Sequence, residues 1–140
     1  MEKGQLIETY RILQKCKLNG LKQNTKFALL HDMSILRPIS LAWKDELEEA
    51  RERLKTDEVR SIIEKVTANN NGLSRMNEAE VDKANRIFGA YNTEVNAYSE
   101  KALNTEMNTA LEAISEDELN KLIDNNDLTG YDMECIKILL

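Results

Sequence analysis

The chain has 140 residues, of which 41% are hydrophobic and 31% charged, a composition typical of one folded globular domain. Nineteen Lys and Arg against 25 Asp and Glu give a net charge of −6, which disfavours general nucleic-acid binding. No apolar run approaches the roughly 20 residues that span a bilayer, and the N-terminus lacks the apolar core of a signal peptide. We therefore expect neither nucleic acid nor a membrane as a partner.

The first predicted helix covers about residues 5–18, where apolar side chains recur every three or four positions. Asn19 and Gly20 should end it, because both tolerate the left-handed backbone that closes a helix. Asn24 or Thr25 is the predicted N-cap of the next helix.

The second segment carries the longest apolar pattern in the chain. Pro38 falls inside it and predicts a kink or a short break over residues 34–37, since proline removes one helical hydrogen bond. Thr56 should then cap a further helix, which makes residues 1–68 a helical hairpin. This apolar seam follows heptad spacing and predicts packing against another helix: Leu29, Met33, Leu36, Ser40, Trp43, Leu47, Ala50 and Leu54.

A polar loop from Asn69 to about Met76 separates this hairpin from a third long helix over 77–103. Asn77 as N-cap with Glu80 three residues later predicts where that helix begins. The apolar seam of this third long helix again has heptad spacing: Val81, Ala84, Phe88, Tyr91, Val95, Tyr98 and Ala102.

The last segment, 104–140, is predicted to be an acidic C-terminal subdomain of the single domain. Residues 104–114 suit either a helix or a short β element, because Met107, Leu111 and Ile114 have helical spacing while alternate residues suit a strand. Two capping boxes predict short helices after it, formed by Ser115 with Glu118 and by Thr129 with Asp132.

Charge is unevenly distributed along the chain. Residues 1–40 hold seven Lys and Arg against three Asp and Glu, a net of +4, and residues 99–140 hold three against ten, a net of −7. The acidic end can fold back on the basic end of its own chain or pair with that of a neighbour. The candidate interaction residues on the two sides are Lys15, Lys17, Lys22, Lys26, Glu116, Asp117, Asp124 and Asp127.

The sequence contains no pattern that predicts a catalytic, cofactor-binding or metal site. His31 is the only histidine, and Cys16 and Cys135 are too far apart in sequence for a paired motif, which favours two reduced thiols in an intracellular protein. Lys15 and Lys17 leave a reactive Cys16 open as an alternative. Trp43 is interpreted as core packing or, alternatively, as an anchor at a protein interface.

The segment from Leu6 to Leu13, followed by residues 27–54 with the run Glu48-Glu49-Ala50-Arg51, resembles a family of small proteins encoded by tailed bacteriophages and prophages. In that family a lysine-containing turn, here 17–26, joins a short helix to a long one. An extended stretch follows, which falls here on 106–114 with Met107 and Thr109 in place of valines, and a small helical region like 115–140 ends the chain.

The resemblance implies a mostly α protein found among phage structural genes, with no catalytic residues to transfer. We therefore expect a non-enzymatic phage structural or assembly protein that contacts either itself or another virion protein. The alternative is a phage-encoded inhibitor or regulator that binds a host protein through its acidic C-terminal region. The expected location is the host cytoplasm or the virion.

Overall fold

The computed structural model describes residues 1–68 and 77–140, and this part of the chain is mostly α, as predicted. The predicted loop from Asn69 to Met76 lies outside the described residues. The helices are α1 (Lys3–Lys15), α2 (Gln23–Leu54), α3 (Asp57–Ala68), α4 (Glu78–Leu103), α5 (Glu116–Asp124), α6 (Gly130–Cys135) and a 3-10 helix (Ile136–Leu139).

The described chain groups into two compact units, whose boundaries fall within α2 and near the end of α4. Unit 1 comprises Met1–Lys44 and Ala102–Leu140, and unit 2 comprises Asp45–Lys101. These units cut across the predicted segments 1–68, 77–103 and 104–140, because each long helix contributes to both.

The two heptad seams are confirmed by burial. Every seam position of α2 and of α4 is buried or half-buried. Within unit 2 the Tyr91 hydroxyl donates to the Arg51 carbonyl at 2.9 Å, and the Arg53 guanidinium lies 5.4 Å from the Tyr98 ring centroid. In unit 1, α1 packs against α6 and the 3-10 helix around a core that includes Leu6, Ile12, Leu29, Leu36, Leu122, Ile136 and Leu139.

Of the kink or short break predicted at Pro38, the break is wrong, because α2 is helical without interruption from Gln23 to Leu54; the kink stays a prediction. Proline costs the helix one backbone hydrogen bond and crowds the preceding turn. Leu36, which is fully buried two residues before the proline, and Trp43 beyond it both anchor the helix in the core of unit 1. Burial on both sides of Pro38 therefore holds the helical backbone through it.

Helix α1 begins two residues earlier and ends three residues earlier than predicted. The side-chain amide of Asn126 accounts for the early end: its Oδ1 accepts from the Lys17 N–H at 2.7 Å, and its Nδ2 donates to the Lys17 carbonyl at 3.0 Å. Both backbone groups of Lys17 are thus satisfied outside a helix. Gly20, with φ of 81°, confirms the predicted left-handed turn.

The predicted N-cap of α2 is also wrong, since the helix begins at Gln23 and both Asn24 and Thr25 lie within its first turn. Glu118 of α5 supplies a carboxylate there instead, and its Oε2 accepts from the Lys22 N–H at 3.2 Å. A carboxylate at this end is favoured because the first helical N–H groups lack partners within the helix. The sequence-local capping rule misses it because Glu118 is distant along the chain.

Residues 104–114 form neither of the predicted elements. An isolated antiparallel bridge joins Glu106 to Glu2, and the Glu112 N–H donates to Asp32 Oδ1 at 2.7 Å. The segment is therefore tied to α2 through Asp32, and to the N-terminus by hydrogen bonds from the Lys3 N–H to the Thr105 carbonyl at 2.9 Å and from the Met107 N–H to the Met1 carbonyl at 2.8 Å. The predicted N-caps are confirmed at Thr56, Asn77, Ser115 and Thr129.

Candidate interaction surface

The basic and acidic ends of the chain meet within unit 1. Arg11 Nη2 lies 2.9 Å from Asp132 Oδ1, and Lys15 Nζ lies 3.0 Å from Asp132 Oδ2. The Asp132 side chain is only 4% exposed, and its hydrogen bonds to Lys15 and Arg11 hold the pKa of the carboxyl well below its usual range. Lys15 therefore forms an ion pair within its own chain.

The remaining predicted basic residues lie near the surface without ion pairs in the described part of the chain. Lys17 and Lys22 use their backbone groups to contact Asn126 and Glu118, while their side chains are exposed. Lys26 is half-buried on α2. The predicted acidic residues are all exposed, and none forms an ion pair among the described residues: Glu116, Asp117, Asp124 and Asp127.

Trp43 lies at the edge of the unit 1 core rather than on an open face. Its side chain is 9% exposed, and the Lys3 ammonium lies 5.2 Å from its ring centroid. The ring lines a cavity of about 460 Å³ together with Tyr131 and Cys135. This burial fits the core interpretation of Trp43.

The largest apolar groups left exposed on α2 form a surface that the sequence analysis missed. Phe27, Leu30 and Leu41 are 61%, 52% and 54% exposed. At 3.6 residues per turn they lie within an arc of about 60° and extend for about 21 Å along the helix. We call these three residues the α2 face. Their spacing forms a second heptad-like row. Ser34 and Arg37 occupy two positions of this row, and because both are polar the row is not recognisable as apolar in the sequence.

The α2 face lies on a cationic stretch of an otherwise acidic protein. Residues 22–44 contain one carboxylate, Asp32, and its side chain is completely buried. Lys26, Arg37 and Lys44 project along one edge of the α2 face, since helical geometry places them about 20–40° beyond Leu30. Within the described residues none of these three cations forms an ion pair.

Asp32 is the main buried titratable group near this stretch. Burial raises the pKa of its carboxyl, while the hydrogen bond from the Glu112 N–H opposes that shift. Its Oδ2 is buried without a hydrogen-bond partner in the described structure. His31 lies half exposed beside it, with Nδ1 3.7 Å from Asp32 Oδ1 and 3.5 Å from Glu112 Oε1.

Both cysteines are free thiols, Cys16 half-buried and Cys135 buried. Burial raises the pKa of the Cys16 thiol despite the nearby Lys15 ammonium, which disfavours the reactive alternative for Cys16. The Cys135 carbonyl accepts from the Thr9 hydroxyl of α1 at 3.2 Å. Among residues 1–68 and 77–140, no three His, Cys, Asp or Glu side chains group as ligands for a metal ion.

Comparisons with protein-family models, curated proteins and solved structures find no match to this chain. Among the described helices, none combines the length and apolar composition needed to cross a membrane. The case for function therefore depends on the surface of the molecule.

Proposed function

We propose that this protein is a non-enzymatic structural or assembly protein of a phage or prophage that acts through contacts with other proteins. The observation that carries the proposal is the α2 face, three large apolar side chains exposed together on one helix. Apolar side chains aligned along one face of a helix are a common docking surface for a partner helix. The phage context comes from the resemblance in the order of the elements and the Glu48–Arg51 run.

The alternative is a phage-encoded inhibitor or regulator that binds a host protein through its acidic C-terminal region. The specific observation in its favour is the group of four exposed carboxylates without ion pairs, Glu116, Asp117, Asp124 and Asp127. Such a surface would attract a basic partner and would weaken as salt screens the charges.

The test is co-sedimentation with phage particles or their assembly intermediates, purified after induction of the source organism. Wild-type protein should accompany these particles, and Leu30→Glu should reduce its recovery. Gln14→Glu, which places the same charge change on an exposed position of α1, is the matched control. Absence of the wild-type chain from every particle fraction would contradict the assembly proposal. Binding to a host protein that Asp117→Lys loses and Leu30→Glu retains would favour the alternative.

A further inference from the structure

We infer that the α2 face docks an acidic amphipathic helix of another protein. This inference rests on the proposed function and adds the chemistry of the partner. Phe27, Leu30 and Leu41 supply an apolar row, and the cationic edge of Lys26, Arg37 and Lys44 runs beside it. A helix with leucine-like residues on one side and carboxylates beside them would complement both features.

The geometry matches a helical partner in length. The apolar row extends for about 21 Å, which corresponds to roughly four turns of an α-helix laid along it. Ser34 lies within the row between Leu30 and Leu41, and its small side chain donates to the His31 carbonyl at 2.6 Å. A side chain of the partner can therefore approach the backbone of α2 at this point, as ridges enter grooves between packed helices.

The charge around the row selects an acidic partner. All exposed ionisable groups within 22–44 other than His31 are cations, because Asp32 is buried. None of the three edge cations forms an ion pair with a carboxylate of the described residues. A carboxylate beside Arg37 could accept two hydrogen bonds from its guanidinium, which favours Arg over a simple point charge at such a contact.

A second copy of the chain fits this surface less well. A two-fold interface places the same patch on both subunits. Residues 22–44 would then bring Lys26, Arg37 and Lys44 of both copies to the contact, with no exposed carboxylate from the same stretch to pair with them. Complementary charge therefore disfavours a two-fold dimer through the α2 face.

The probe is a labelled synthetic helix of about 18 residues with leucines at helical spacing along one face and glutamates elsewhere. A second peptide has lysine in place of every glutamate, and a third keeps the glutamates but has serine in place of every leucine. Fluorescence anisotropy with the full chain should show binding of the glutamate–leucine peptide only. Leu30→Glu should weaken that binding at least about tenfold, and the Gln14→Glu control should leave it unchanged.

Charge reversal supplies the sharper test. The double variant Lys26→Glu, Arg37→Glu should lose affinity for the glutamate–leucine peptide by about tenfold or more and gain affinity for the lysine–leucine peptide. Circular dichroism of each variant checks that the helices persist. Higher salt should weaken binding of the wild-type chain, since exposed charges are screened.

Five results would overturn the inference. Equal binding of both leucine peptides would remove the charge argument, and binding of the serine peptide would remove the apolar one. A dimer by light scattering that Leu30→Glu abolishes would assign the α2 face to a second copy. Binding to anionic phosphatidylserine vesicles, without binding to the glutamate–leucine peptide, would assign it to a lipid surface. If the peptides fail while the chain still co-sediments with particles, the inference is wrong and the proposed function stands.

Discussion

Two adjacent leucines of α2 provide a direct test of which side of this helix holds unit 1 together. Leu29 is fully buried in the core, whereas Leu30 is 52% exposed on the α2 face. Replacing Leu29 by Ala should lower the free energy of unfolding by about 2–5 kcal/mol, because it removes buried methyl groups and leaves a cavity. Replacing Leu30 by Ala should change it by no more than about 0.5 kcal/mol.

The comparison isolates burial because both substitutions exchange the same two good helix formers within the same turn. Urea unfolding should be followed by circular dichroism, which reports helices of both units, and by fluorescence of Trp43, the only tryptophan, which lies in unit 1. Leu29→Ala should lower the urea midpoint that is measured by Trp43 fluorescence. Equal losses for the two variants, or a larger loss for Leu30→Ala, would refute the assigned orientation of α2.

Three further predictions concern the backbone and the buried carboxylates. Gly20→Ala should lower the free energy of unfolding by about 1–2 kcal/mol, because a Cβ is disfavoured at the Gly20 φ of 81°. Gly89→Ala, in the interior of α4, should raise the free energy of unfolding by about 0.5–1 kcal/mol, and thermal unfolding of both variants distinguishes the two signs. Burial raises the pKa of the Asp32 carboxyl in the folded state, so the stability that this group contributes is present below about pH 3.9 and is lost as the pH rises through its folded-state pKa. Over this pH range the urea midpoint of Asp32→Asn should therefore fall less than that of the wild type. The pH dependence contributed by Asp132 has the opposite sign, since Lys15 and Arg11 lower the pKa of its carboxyl: its contribution to stability is present above about pH 3.9 and is lost on acidification. The urea midpoint of Asp132→Asn should therefore fall less steeply at acidic pH than that of the wild type. An unchanged pH profile in either Asn variant would contradict the corresponding assignment.

The helices and their buried sides could be predicted from the sequence because both depend on regular local spacing. The α2 and α4 seams are apolar rows that repeat every three or four residues, and that period alone determines which side can be buried. The N-caps at Thr56 and Thr129 are equally local, since each hydroxyl bonds to an N–H three residues later. These signals do not require knowledge of the rest of the fold.

The wrong predictions for the end of α1, for the cap of α2 and for residues 104–114 all involve residues that are distant in sequence. Asn126 ends α1 early through Lys17, and Glu118 takes the carboxylate position at the start of α2. Asp32 holds the irregular 104–114 segment through the Glu112 N–H. No local sequence pattern predicts such contacts, because the sequence around an Asn, Glu or Asp that binds a distant backbone group does not differ from the sequence around one that faces solvent.

The candidate surface was partly concealed for a different reason. The α2 seam already gives the helix one apolar side, so the sequence pattern does not set Phe27, Leu30 and Leu41 apart as a second apolar row. Their separate row becomes visible only when the exposed fractions are known, since Ser34 and Arg37 interrupt it. The folded-back acidic end, which could be predicted only as one of two alternatives, is fixed in the structure by the contacts of Asp132 with Arg11 and Lys15.

Amide chemical-shift mapping of the full chain during titration with the glutamate–leucine peptide locates the docking surface residue by residue. The largest shifts should fall on residues 26–44 of α2, and Leu30→Glu should remove them while the rest of the spectrum is retained. Shifts concentrated on α5 around Glu116 and Asp117, or no shifts in α2 at saturating peptide, would contradict the claim that the α2 face is the docking surface.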